Sequence, residues 1–217
     1  MIYTDFAAIP RGGYGIIYAD PAWTFRNRCD TKATRWAGSK YGLMTREALM
    51  ALPVAQLAAP DCALFIWGTS PTLEDLLPVI NAWGFTFKTK AFYWDKETKT
   101  GKDHFGMGYW TRASNEDCWL ATRGNPKRLD QSVRQRVRTP VGKHSAKPPE
   151  VRERIVRLLG DLPRIELFSR AEVPGWDAWG NQVEAEPDLI RSLRQAVPFA
   201  LPDPALAQTD WTQEGAK

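Results

Sequence analysis

Asp20-Pro21-Ala22-Trp23 is the stretch of this chain whose residue types and order could best do chemistry. It follows Ile16-Ile17-Tyr18-Ala19, an apolar run that reads as a strand delivering a carboxylate to its own carboxyl end. In open α/β sheets that edge is where ligands bind. Asp-Pro is also an ordinary turn opener, so the tetrapeptide needs partners elsewhere in the chain. A polar-aromatic set near the C-terminus offers them: Phe168-Ser169-Arg170, then Trp179-Gly180-Asn181-Gln182.

Other chemistries lack their signatures. There is no Gly-x-x-x-x-Gly-Lys-Ser/Thr phosphate loop, no Gly-x-Ser-x-Gly elbow and no dinucleotide fingerprint. His104 and His144 are the two histidines, too few for a His-rich metal site or a credible triad. Cys29, Cys62 and Cys118 have no metal-like spacing, and Cys62 and Cys118 sit in apolar runs, as buried free thiols do. No metal is expected.

The elements that must position these residues alternate between strand and helix. Residues 1–15 read as a lead-in, and residues 24–40 as a long basic loop carrying Arg26, Arg28, Arg35 and Trp36. Thr45 to Leu52 fits a short helix capped by Thr45 and closed by Pro53. Cys62 to Trp67 is a buried-strand run, and Ser70-Pro71 opens a helix whose Leu73, Leu76, Leu77 and Ile80 share a face before Gly84 ends it. Phe85 to Trp94 and Asp117 to Thr122 read as strands separated by a second long loop, and residues 123–147 as a third. Pro148-Pro149 opens a helix ended by Gly160; strands follow at Arg164 to Phe168 and Trp176 to Trp179, then a helix near 188–196. The pattern predicts an α/β fold with a largely parallel sheet, one domain over residues 1–196, and a poorly ordered tail at 197–217. The three long loops follow strand ends near Asp20, Trp94 and Thr122, and are expected to converge on one sheet edge.

Charge suggests the partner. Residues 1–159 carry 24 Lys and Arg against 15 Asp and Glu, while residues 160–217 carry 5 against 10. A basic body with an acidic end suits a polyanion such as nucleic acid, although a solvated basic surface has the same composition. Eight of the basic residues lie between Arg123 and Lys147, with Asp130 as their one acidic neighbour. Ten tryptophans, several in polar sequence, add rings suited to stacking. No apolar run of 18 residues occurs and the N-terminus lacks a signal-peptide layout, so a soluble cytoplasmic protein without membrane association is expected.

In its order of short motifs the chain resembles the adenine-N6 methyltransferases that include the catalytic subunit of the mRNA adenosine methylase. The likeness runs from about Tyr18 to Gln182. It includes Asp20-Pro21-Ala22-Trp23, Tyr41-Gly42-Leu43-Met44, Leu64-Phe65-Ile66-Trp67, Glu116-Asp117-Cys118, Ser145-Ala146-Lys147-Pro148, Ile165 to Arg170, and Gly180-Asn181-Gln182. The resemblance implies a Rossmann-like S-adenosylmethionine-dependent fold, circularly permuted so that the catalytic box precedes the cofactor motif. It implies Asp20, Pro21 and Trp23 as catalytic residues. Asp20, Lys147, Phe168, Arg170, Asn181 and Gln182 fall at cofactor-contacting positions. Tyr41 and Glu116 fall in matched motifs that either face the cofactor or brace the box.

The implied chemistry is physically sound. An adenine exocyclic amine is a poor nucleophile because its lone pair is delocalised into the ring. The Asp20 carboxylate and the Pro21 carbonyl could each accept one N–H, favouring a pyramidal nitrogen with its lone pair aimed at the sulfonium methyl. Trp23 is expected to stack on the target base. Trp23, Trp36, Tyr41, Arg128, Arg134 and Arg136 are the expected substrate contacts, rings for an extruded base and cations for phosphates. Ala22 stands where the family carries a second proline, which relaxes the restraint on Pro21 without removing its carbonyl. The expected activity is N6 methylation of adenine in nucleic acid, with DNA ahead of RNA. The alternatives are RNA adenosine or cytosine N4 methylation, or a silent nucleic-acid-binding subunit that pairs with an active one; a homodimer or a heterodimer would suit the chain.

Overall fold

The computed structural model describes residues 1–24, 43–106, 110–142 and 146–180. The expected helix near 188–196 and the tail at 197–217 lie outside them, as do Trp36, Tyr41, Asn181 and Gln182.

Eight strands form one sheet: β1 (Ile2–Tyr3), β2 (Tyr14–Ala19), β3 (Ala58–Gly68), β4 (Thr86–Glu97), β5 (Asn115–Arg123), β6 (Arg136–Pro140), β7 (Arg164–Leu167) and β8 (Asp177–Trp179). Their order across the sheet is β1-β8-β7-β2-β3-β5-β4-β6. Among the described residues the α-helices are α1 (Arg46–Met50), α2 (Leu73–Ala82) and α3 (Pro149–Leu159).

The central strands are buried on both faces, and so they read as continuous apolar runs. Residues of β2 and β3 alternate between two cores. Ile17, Ala19, Leu64 and Ile66 pack with Leu49 of α1 and Leu76, Val79 and Ile80 of α2. Ile16, Tyr18, Ala63, Phe65 and Trp67 pack with Val151, Ile155 and Leu159 of α3. α3 shows both sequence signals as expected, with Pro149 in its first turn and Gly160 at φ 90° ending it. Thr45 caps α1 by accepting from the Ala48 N–H at 3.2 Å. Ser70-Pro71 opens a separate 3-10 turn over residues 70–72, N-capped by Thr69, and α2 follows it with Thr72 at its own N-cap.

The lead-in, the third loop and the loop convergence differ from expectation. The lead-in is structural: β1 pairs with β8 in parallel, and Phe6 meets Trp179 edge-on at 4.9 Å. Residues 123–147 are not one loop, since β6 runs beside the end of β4. The sheet is largely parallel as expected, but β5 lies antiparallel between β3 and β4. That reversal also overturns the convergence of the three loops. β2, β3 and β4 end at the Asp20 edge, whereas β5 begins there and ends opposite Cys62, at the far edge.

Candidate active site

The parallel register of β2 with β3 and β7 sets Ala19 opposite both Ile66 and Leu167. Asp20, Trp67 and Phe168, each one residue further on, therefore emerge together at the same edge. Asp117 pairs with Gly68 there, so β5 brings Glu116 to this edge only because it runs backwards. Lys147 arrives from the segment that leads into α3.

These side chains form a chain of alternating charge. The Lys147 ammonium donates to both carboxylate oxygens of Asp20 at 2.7 Å and lies 3.2 Å from Glu116. Glu116 in turn accepts from Lys96 at 2.5 Å. Beneath the ammonium is the Trp67 ring, its centroid 5.4 Å away. Burial would raise the Glu116 carboxyl, but Lys147 and Lys96 outweigh it and hold the group down at about 2. Burial would likewise lower the Lys147 ammonium, yet Asp20 and Glu116 hold it above the ordinary lysine value. Both partners thus favour the ionised pair.

Trp67 organises the other half of the box. Its carbonyl accepts the Trp23 indole N–H at 2.8 Å, and its own indole N–H donates to the Tyr18 hydroxyl at 2.6 Å. Trp23 is 6% exposed and belongs to the core, which corrects its expected role as a base-stacking surface. A ring wedged among core side chains braces the box and offers no open face. The Pro21 carbonyl accepts the Trp23 N–H at 2.9 Å; a carbonyl has two lone pairs, so one acceptor position remains. The Ala22 carbonyl accepts the Met44 N–H at 2.9 Å, tying the box to the chain entering α1.

Asp20, Lys147, Phe168 and Arg170 line a single cavity of about 800 Å³ walled by α3 and by the turn after β7. Four of the six expected cofactor residues are therefore neighbours. Phe168 takes the left-handed backbone conformation at φ 62°, in the sequence position where a glycine is more usual. The tight turn is possible because Gly180 presses on it. A Cβ at Gly180 would come within 2.1 Å of the Ser169 carbonyl oxygen and 2.6 Å of its nitrogen. The turn thus lies beside a cavity whose lining includes Lys147 and Arg170, cations that suit a carboxylate-bearing ligand. Sequence reasoning left Gly180 without a role, and its signal was only a glycine following a strand. Trp67 ends an apolar strand run, and nothing in that run distinguishes it from strand filler.

The expected phosphate contacts scatter. Arg136 is drawn into an ion pair with Asp95 at 2.6 Å. Arg134 is exposed just before β6, and Arg128 lies in the connection that packs near the C-terminal end of α3, where the Leu129 N–H donates to the Leu158 carbonyl. Arg128 is thus on the side of the sheet away from Asp20. Among the described residues no group of three His, Cys, Asp or Glu side chains could hold a metal.

The model of the family described as MT-A70 matches residues 14–182, which span the box, the Lys147 segment and the turn after β7. The chain belongs to the MT-A70 family. Among its relatives is the type II methyltransferase M.MunI of a Mycoplasma species, 32% identical over 82% of this chain and 81% of that protein. The Drosophila melanogaster N(6)-adenosine-methyltransferase MT-A70-like protein is 26% identical over 86% of this chain. The human N(6)-adenine-specific methyltransferase METTL4 is 27% identical over 80% of it. This MT-A70 chain spans only 30% of the Drosophila protein and 38% of the human one. No helix among its described residues is long and apolar enough to cross a membrane.

Proposed function

We propose that this MT-A70 chain is an S-adenosylmethionine-dependent methyltransferase acting on the N6 amine of adenine, in DNA ahead of RNA. The observation that carries the proposal is Asp20 at a strand end, hydrogen-bonded to Lys147, on the wall of the cavity that Phe168 and Arg170 share. Similarity over most of both chains to a type II methyltransferase favours DNA. The fold is Rossmann-like and permuted, with the carboxylate strand β2 preceding the cofactor strand β7 in sequence.

The cavity and its cations fit the cofactor: Lys147 and Arg170 suit the methionine carboxylate, Phe168 passes the cofactor with its backbone, and Asn181 and Gln182, next in sequence after Gly180, are the proposed ribose contacts. When bound, S-adenosylmethionine supplies an electrophilic methyl on a sulfonium. Asp20 accepts one amine hydrogen through a lone pair that Lys147 leaves free, and the Pro21 carbonyl accepts the other. The two acceptors orient the nitrogen lone pair and stabilise the positive charge that develops on it. Lys147 keeps the carboxylate aimed, Glu116 keeps Lys147 aimed, and Trp23 with Trp67 holds the backbone of the box. Trp36 and Tyr41 are the proposed base contacts, and Arg134 and Arg136 the proposed phosphate contacts. The base must leave a duplex stack to reach Asp20, at a cost of a few kcal/mol.

The test is incubation with labelled S-adenosylmethionine and separate DNA and RNA oligonucleotides, followed by nucleoside analysis. N6-methyladenine in the DNA is the expected product. Label on RNA alone or on cytosine would redirect the substrate, and no transfer by cofactor-binding protein would refute the activity.

A further inference from the structure

The connection between β4 and β5 leaves the sheet at the catalytic edge, because Trp94 pairs with Glu116 and Asp95 with Asn115. Its two described arms, residues 98–106 and 110–114, are built and not slack. A turn closes where the Thr98 N–H donates to the Lys102 carbonyl at 2.7 Å, and Glu97 bridges to Asp103. The Gly106 N–H donates to the Ala113 carbonyl at 2.7 Å, so close that a Cβ at Gly106 would meet that oxygen at 2.9 Å. Arg138 on β6 donates to Asp103 at 3.0 Å and fastens the first arm to the sheet.

On this frame two aromatic rings point into solvent: Phe105 is 68% exposed and Trp110 fully exposed. Tryptophan is highly buried on average, and Trp23, Trp67, Trp94 and Trp179 near this sheet edge are in the core. Lys99 and Lys102 are exposed on the same arm. Rings set singly among lysines do not resemble the centre of a protein interface, from which lysine is depleted. They do resemble the surface that holds a nucleic-acid strand, where aromatic faces take bases and cations track the backbone.

We propose that the β4–β5 connection grips unpaired bases flanking the target adenine, with Phe105 and Trp110 as stacking surfaces and Lys99 and Lys102 as phosphate contacts. The inference rests on the reading of the chain as a nucleic-acid methyltransferase. It also supplies the open aromatic face that the buried Trp23 does not. Neither ring belongs to the Asp20 network, so the connection selects and steadies the strand while the box does the chemistry.

The test is binding of a fluorescent single-stranded DNA oligonucleotide containing one adenine, read by anisotropy, together with steady-state kinetics and sedimentation. Trp110→Ala and Phe105→Ala should each weaken binding about tenfold, the size of one lost base stack. The nucleic-acid KM should rise in step, while kcat and the cofactor KM stay unchanged. Trp110→Phe should recover most of the binding. Lys99→Ala with Lys102→Ala should flatten the salt dependence by roughly 1.5 in log–log slope, as for two phosphates. Unchanged binding in both aromatic variants overturns the proposal. So does a wild-type dimer that Trp110→Ala dissociates, which would make the connection a contact between copies of this chain. If wild-type protein transfers no methyl but its oligonucleotide binding still tracks Trp110, the activity fails and the binding surface stands. If it transfers methyl and binding ignores the two rings, the surface alone fails.

Discussion

Lys147 donates to both oxygens of Asp20 at 2.7 Å, so the carboxylate at the head of the box is held from behind by a cation that is itself buried. A carboxylate clamped this way keeps its direction and still has lone pairs for a substrate amine. The same ammonium touches Glu116, which means that neither acid can be altered without consequence for the other.

Asp20→Ala is expected to lower transfer by about 10³ while leaving cofactor binding and folding intact. Losing a positioned acceptor costs roughly 10²–10³ in rate, and the orientation of the amine goes with it. Lys147 would retain Glu116, so no cation is orphaned. Single-turnover transfer beside calorimetric cofactor binding checks this; activity within tenfold of wild type contradicts the role of Asp20.

Lys147→Met should act differently. It leaves Glu116 with Lys96 alone and Asp20 without its hydrogen-bonded cation, and a partly buried carboxylate that loses its cation favours the protonated form. The acid limb of the pH–rate profile should move up by about one pH unit or more, with a stability loss of about 3 kcal/mol. Lys147→Arg should restore stability more than rate, because a planar fork cannot reproduce a point charge. A pH profile that does not move in Lys147→Met would show that the carboxylates do not sense the loss of this cation.

Glu116 also sets an acid limit on stability. Its carboxyl is lowered from 4.5 to about 2 in the folded chain, so its contribution is fully present above 4.5 and is lost as pH falls toward 2. The size is on the order of 3 kcal/mol. Lys147, raised when folded, contributes below the ordinary lysine value and loses that contribution as pH rises through its higher folded one. Urea unfolding of wild type should therefore weaken steeply between pH 4.5 and 2, and Glu116→Gln should flatten that slope. Parallel curves would remove Glu116 from the acid transition.

Gly180→Ala should damage the turn that passes the cavity. The added Cβ would collide with Ser169 and Phe168 backbone atoms, which cannot rotate away as a side-chain tip can. The left-handed Phe168 would be pushed from its position, with an expected destabilisation of about 2–3 kcal/mol and at least about tenfold weaker cofactor binding. Thermal unfolding and cofactor titration read the two effects, and unchanged values for both would mean that the turn adjusts freely.

Trp23→Ala separates bracing from stacking. Deleting a buried tryptophan costs about 3–5 kcal/mol, so the variant should lose stability and activity together. Trp23→Phe, which loses only the hydrogen bond to the Trp67 carbonyl and some volume, should cost about 1–2 kcal/mol with most of the activity kept. A Trp23→Ala protein of wild-type stability but raised nucleic-acid KM would return the ring to a base-contacting role.

What the sequence by itself determined was local. The apolar run before Asp20, the cap at Thr45, the Pro149 opening and Gly160 close of α3, and the ordered motifs of the family are all set by neighbours a few residues apart. Asp20, Lys147, Phe168 and Arg170 could be singled out as one set from the resemblance, and the fold class from alternating strand and helix patterns. What only the tertiary structure decided depends on register and direction across the sheet. An apolar strand buried on both faces looks the same whichever way it runs, so nothing in Asp117 to Thr122 showed that β5 is reversed. That reversal brings Glu116 to Lys147 and carries the basic segment after Arg123 to the far edge. Burial is equally nonlocal: Trp23 and Trp110 both sit in polar, irregular sequence, yet one is wedged under the box and the other stands in solvent. Composition could count the rings and the charges, but only packing between distant segments could say which of them are left to meet a partner.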